Sequence, residues 1–162
     1  MPDWLIVSLV SLAFVGGIAY VYFRYTEQVK YHDGILRLTI DEVDTMTGIE
    51  FESYAEILFQ NLGYSIQKTA VSGDFGVDLI ISKNGIKTAV QCKRYSSAIG
   101  VAAIQQAHTG MAYYHCQRSM VVTNSTFTKA AVTLAKSSKC ILVDRHKLAE
   151  MLRGLDPVLA IA

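Results

Sequence analysis

Asp78-Leu79-Ile80-Ile81-Ser82-Lys83-Asn84-Gly85-Ile86-Lys87-Thr88-Ala89-Val90-Gln91-Cys92-Lys93 contains two short apolar runs, 78–82 and 87–92, on either side of an Asn-Gly pair. Asn-Gly between such runs is the strongest short-range signal for a β-hairpin, because both central residues of its tight turn need positive φ. With Asn84 and Gly85 as the loop, Lys83 faces Ile86 and opposed positions sum to 169. Asp78 then faces Gln91, and Lys93, two residues further along, shares the Gln91 face. The other face carries Leu79, Ile81, Val90 and Cys92.

The flanking chain alternates helical and strand-like segments. Thr47-Gly48-Ile49-Glu50 fits a capping box, in which the Thr and Glu side chains satisfy each other's backbone N–H groups. Phe51, Tyr54, Ala55, Leu58, Phe59 and Leu62 follow at helical spacing, and Gly63 closes that helix. Residues 64–70 are β-like, and Ser72 to Gly76 form a turn-rich loop. After the hairpin come a helix over 100–114, a strand over 119–123, a helix over 128–137, a strand over 140–143 and a last helix over 145–153. This order predicts an α/β/α sandwich around a mixed sheet.

Leu5 to Phe23 is an uncharged run of nineteen residues, the length of a single membrane-spanning helix. Trp4 stands at one edge, and Tyr20, Tyr22 and Tyr25 at the other, where amphipathic rings favour the interface. Arg24 and Lys30 follow the run while only Asp3 precedes it, so the charge bias predicts one pass with the remainder in the cytoplasm, at the inner membrane. The run also accounts for the positive mean hydropathy of +0.28. Residues 1–24 are thus read as an anchor in contact with membrane lipid and 25–46 as a linker. A net charge of +1 gives no global signature of a nucleic-acid partner. The three cysteines, Cys92, Cys116 and Cys140, are odd in number and lie in apolar surroundings. They read as free thiols rather than as a disulfide framework.

Asp78, Gln91 and Lys93 converge at one end of an otherwise apolar sheet. A hard cation such as Mg²⁺ takes oxygen ligands and keeps several waters. Asp78 supplies charge, the Gln91 side chain or the Cys92 backbone carbonyl supplies further oxygen, and Lys93 is placed to orient or deprotonate a water.

Three motifs resemble the catalytic domain of the Mrr-like restriction endonucleases, within the PD-(D/E)xK superfamily. They are Gly48-Ile49-Glu50-Phe51-Glu52, Gly73-Asp74-Phe75-Gly76-Val77-Asp78 and Gln91-Cys92-Lys93-Arg94-Tyr95. Residues 123–128 and Leu142-Val143-Asp144 also resemble that family's later strand ends, so the resemblance covers roughly 46–152. It implies a metal-dependent deoxyribonuclease of the type IV restriction kind, cutting phosphodiester bonds in DNA with Mg²⁺, for which Mn²⁺ is expected to substitute. The products are 5′-phosphate and 3′-hydroxyl ends. Asp78 corresponds to the metal-binding aspartate, Gln91 to the second acidic position, Lys93 to the catalytic lysine, and Glu52 to a carboxylate reaching the metal from the first helix. Two departures from the superfamily's commoner pattern stand out: Gln91, usual in the Mrr-like branch, removes a negative charge, and Val77 stands where proline is commoner.

Around this core, Asp74, Arg94, Gln105, Asn124 and Thr126 are auxiliary or DNA-contacting candidates, with Gln106 beside Gln105. The expected organisation is a nuclease domain over 47–154 and a tail over 155–162. Cutting both strands needs two sites, which a homodimer supplies. The alternative is a nuclease fold that holds DNA, or assembles at the membrane, without cutting.

Overall fold

The structure is a computed structural model that describes residues 3–69 and 75–156, with side chains described from residue 12 onward. The chain divides into two compact units, residues 1–36 and 37–162. The first is a single helix, α1 (Asp3–Leu36), of 34 residues. Leu12, Phe14, Val15, Ile18 and Phe23 are exposed on it, whereas Ile35 near its end is buried. The helix does not stop at Phe23 but continues through Arg24, Glu27, Lys30 and Asp33. Among the described residues no helix is long and apolar enough to cross a membrane. The side chains of 5–11 lie outside the described residues. The expected span Leu5–Phe23 therefore gains no support from the structure.

In the second unit, a short helix, α2 (Ile40–Val43), starts at a capping box of Thr39 and Glu42, so residues 25–46 carry the end of α1 and all of α2. Helix α3 (Gly48–Asn61) starts at the expected box: the Thr47 N–H donates to Glu50 Oε2 at 2.7 Å, and the Glu50 N–H donates to Thr47 Oγ1 at 3.3 Å. Phe51, Tyr54, Ala55 and Leu58 make its buried stripe. Gly63, at φ +81°, turns the chain out of the helix.

The remaining elements are β1 (Ser65–Lys68), β2 (Leu79–Lys83), β3 (Ile86–Lys93), α4 (Val101–Tyr113), β4 (Arg118–Thr123), α5 (Lys129–Ser138), β5 (Ile141–Val143) and α6 (Arg145–Met151). The five strands form one sheet in chain order. β1, β2 and β3 pair antiparallel, whereas β3, β4 and β5 pair parallel, which makes the sheet mixed. The hairpin has the expected register, Leu79 opposite Val90 through Lys83 opposite Ile86. Asn84 and Gly85 take φ of 52° and 77° at its turn.

Parallel strands need crossover connections, and α4 and α5 provide them. Both helices pack on one face: Ala103, Ile104 and Ala107 of α4 and Ala131 and Ala135 of α5 cluster with Val121. Further along, Met111 and Tyr114 meet Val77, Ile80 and Ala89. Gly110 permits this approach, since a Cβ there would lie 2.1 Å from Val77 Cγ2. The opposite face, with Leu79, Ile81, Val90, Met120, Val122 and Val143, is buried as well. A sheet buried on both faces reads as the near-continuous apolar runs seen in β2 and β4.

Candidate active site

The chain leaves the β2–β3 ladder at Asp78, just before β2 begins. The Asp78 N–H donates to the Val90 carbonyl at 2.9 Å, and the Thr69 hydroxyl donates to the Asp78 carbonyl at 3.0 Å. The backbone of Asp78 is thereby held from both sides. Its carboxylate turns toward β3, where Oδ2 accepts the Gln91 side-chain amide and the Cys92 backbone N–H, each at 2.6 Å. Beyond the end of β2, Cys92 has no ladder partner on that side, and the carboxylate takes the place of one.

The Gln91 side chain is 3 % exposed. Its Nε2 is committed to Asp78 and, at 3.3 Å, to the Cys92 carbonyl. Its Oε1 is buried with no hydrogen-bond partner. A buried acceptor left without a donor costs about 1–3 kcal/mol. An amide oxygen next to a carboxylate also suits a hard cation. Gly76, at φ +74°, closes over this atom: a Cβ there would stand 3.0 Å from Gln91 Oε1 and 2.6 Å from Gln106 Cβ.

Glu52 lies early in α3 and is half-buried. Burial pushes the Cys92 thiol well up, the charges of Asp78 and Glu52 push it further, and Lys93 opposes them. Three of the expected charged residues thus bear on one buried sulfur. Among the described residues no three His, Cys, Asp or Glu are grouped so as to hold a metal. An oxygen set at this site must therefore draw on amide and carbonyl oxygens beside the carboxylates. Gln91 and Cys92 are the residues that carry them.

Lys93, half-buried at the end of β3, opens onto a cleft of about 280 Å³ lined by Tyr95, Ser97, Ile99, Gly100, Ala102 and Gln106. Gly100, the N-cap of α4, provides no side-chain cap. The first N–H groups of that helix therefore carry its positive dipole end to the cleft without a side-chain acceptor from the cap.

Other candidates stand elsewhere. Gln106, not Gln105, reaches the cleft, and Gln105 is exposed on α4. Asp74 lies outside the described residues. Asn124 is buried; its Oδ1 accepts the Tyr95 N–H at 2.9 Å, and its Nδ2 donates to Asp44 Oδ1 at 2.8 Å. Arg94 donates from Nη2 to the Asp44 carbonyl. Thr126 is exposed, and its carbonyl accepts the Ile99 N–H at 2.8 Å. Lys83, at the far end of β2, is tied to Asp156 at 2.9 Å and to the Leu62 carbonyl at 2.7 Å.

Asp44 and Arg145 were not foreseen. Arg145 Nη1 donates to both Asp44 carboxylate oxygens, at 2.6 and 2.7 Å, and its Nη2 donates to Asp41 at 2.7 Å. Burial pushes the Asp44 carboxyl up, but the hydrogen bonds of Asn124 and Arg145 and the charges of Arg145 and Arg94 outweigh it. The group is held below the usual carboxylate range.

A restriction endonuclease family, Mrr_cat, matches residues 43–152. No curated protein matches the chain. Among solved structures, the chain is similar to the DNA modification-dependent restriction endonuclease AspBHI at 19% identity, with a TM-score of 0.56 over 78% of this chain and 37% of that one. It is also similar to AF1548, a protein of unknown function, at 14% identity and a TM-score of 0.49 over 59% of this chain and 56% of the other. The chain therefore spans little more than a third of AspBHI and just over half of the second protein.

Proposed function

The chain belongs to the restriction endonuclease family Mrr_cat, and from that membership we propose that it hydrolyses phosphodiester bonds in DNA with the help of Mg²⁺, or Mn²⁺ in its place. The single observation that carries this reading is the Asp78–Gln91 pair, which leaves a buried amide oxygen beside a carboxylate. DNA as substrate is supported by the family and by the similar fold of AspBHI, a DNA modification-dependent restriction endonuclease.

Asp78, Gln91 Oε1, the Cys92 carbonyl and Glu52 are the oxygens that would hold the ion. When bound, it supplies positive charge toward the phosphate and makes a neighbouring water more acidic. Lys93, as an ammonium, orients the attacking water at the mouth of the cleft, and the water's proton leaves to solvent. The N-terminus of α4 and the Lys93 ammonium receive the phosphate oxygens.

Gln91, in the place of a second acidic residue, favours one second reading, a domain that holds DNA without cutting it. Incubating the full chain with supercoiled DNA, linear DNA and RNA, with Mg²⁺, with Mn²⁺ and with chelator, separates the two. Metal-dependent nicking supports the nuclease. Retarded DNA that stays intact in every metal moves the reading to the second.

Two further proposals rest on the sequence alone. One is attachment to the inner membrane through Leu5–Phe23 with the remainder in the cytoplasm. It is tested by membrane fractionation and a C-terminal reporter, and a soluble chain or an external reporter sinks it. The other is a homodimer that brings two sites to the two DNA strands. It is tested by the mass of the chain in solution, and a monomer that cuts both strands at once contradicts it.

A further inference from the structure

Asp44, Arg94, Asn124 and Arg145 come from four parts of the chain, 21 to 104 residues from the groups they bind. They meet beside the loop that follows Lys93. Arg145 grips the Asp44 carboxylate with both bonds of one nitrogen. Asp44 in turn accepts Asn124 Nδ2 on its carboxylate and Arg94 Nη2 on its carbonyl. Asn124 then receives the Tyr95 N–H. The same loop is fastened further along: the Ser125 hydroxyl donates to the Ser97 carbonyl at 2.9 Å, and Ile99 forms an isolated bridge with Phe127.

We infer that the Asp44–Asn124–Arg145 cluster is a positioning brace, which fixes the loop of residues 94–99 and with it the wall of the cleft opposite Lys93. The inference rests on the nuclease reading above, because it assigns the brace a part in that reaction. None of the four residues belongs to the apolar clusters that bind α4 and α5 to the sheet. The Asp44 and Arg145 side chains are 39% and 31% exposed, and a partly exposed ion pair adds little to global stability. What the brace does control is local. Arg94 and Tyr95 are the two residues immediately after Lys93, and both are held through Asp44 or Asn124. A loop misplaced by about 1 Å costs far more in rate than in stability, because reaction depends on the alignment of reacting groups.

Charge exchange inside the brace tests this. Asn124→Asp keeps an acceptor for the Tyr95 N–H but sets a second carboxylate against Asp44. Asp44→Asn combined with Asn124→Asp restores one charge and one amide to the pair. In the full chain, Asn124→Asp is expected to lower kcat for DNA cleavage at least about tenfold with KM within about threefold. Its thermal midpoint should fall by no more than about 4 °C, and the double variant should recover most of the lost kcat. Cleavage by Asn124→Asp at the wild-type rate overturns the brace while leaving the nuclease standing. So does a loss confined to KM, or a double variant no better than the single. A wild-type chain that cuts nothing in any metal overturns the nuclease reading itself, and the brace's part in it.

Discussion

The Gln91 side-chain amide donates to Asp78 Oδ2 at 2.6 Å, across the open end of the hairpin. That bond settles which end of the amide is which: the nitrogen faces the carboxylate, so the oxygen faces the buried space beneath Gly76. A glutamate at 91 would place two carboxylates at that distance, and repulsion in a poorly solvated site would then have to be relieved by a cation or a proton. The amide removes that conflict in the metal-free protein and still offers one oxygen ligand.

Gln91→Glu follows directly. Without metal the variant loses the Nε2 donor and sets two acidic groups together, so unfolding free energy should fall by about 1–3 kcal/mol. Saturating Mg²⁺ should raise its thermal midpoint more than that of the wild type, because a ligand that binds only the folded state stabilises in proportion to its affinity. Equal Mg²⁺ shifts in the two proteins would detach Gln91 from the ion.

Gly76 is the next lever. It sits at φ +74°, and a Cβ there would stand 2.6 Å from Gln106 Cβ and 3.0 Å from Gln91 Oε1. Gly76→Ala should destabilise the fold by about 1–3 kcal/mol through backbone strain and the contact with α4. Cleavage should fall beyond what that loss explains, because the displaced atoms belong to the site. Chemical denaturation and single-turnover cleavage on the same preparation check both parts, and a variant with wild-type stability would contradict the close approach.

Asp44 makes a pH dependence. Its folded-state carboxyl is held below the usual range, so the folded protein releases that proton more readily than the unfolded chain. The stability it contributes is therefore complete above the unfolded value and is lost as pH falls through the lowered folded one. Below about pH 4, the ordinary range for aspartate, the wild type should lose more stability per pH unit than Asp44→Asn. Thermal unfolding of both proteins from neutral pH into acid reads the difference, and parallel curves would mean that Asp44 does not titrate with folding.

Local signals made most of the second unit legible in the sequence. The Asn84-Gly85 turn fixed the register, the register placed Asp78 opposite Gln91, and the Thr47–Glu50 box marked the start of α3. Each is a matter of a few neighbouring residues. The brace was illegible because its contacts join residues 21 to 101 positions apart through loops with no periodicity. One local sign did exist: Thr39-Ile40-Asp41-Glu42 is a second T-x-x-E box, and reading it would have placed a helix just before Asp44. Arg94 and Asn124 read as DNA contacts because exposed polar residues after a strand usually point outward, whereas here both turn to Asp44. The apolar N-terminal run was read from its length, its flanking aromatic residues and its charge bias, and it lies partly outside the described side chains, so that reading gained no support.

Metal-dependent hydrolysis is proposed for the Asp78–Gln91–Lys93 end of the hairpin. Single-turnover cleavage of DNA by the full chain in Mg²⁺, beside Asp78→Asn and Lys93→Ala, tests it most directly. The expected result is cutting by the wild type that chelator stops, with both variants slower by at least about a thousandfold while still folded and still binding DNA. Cutting by either folded variant at close to the wild-type rate would contradict it.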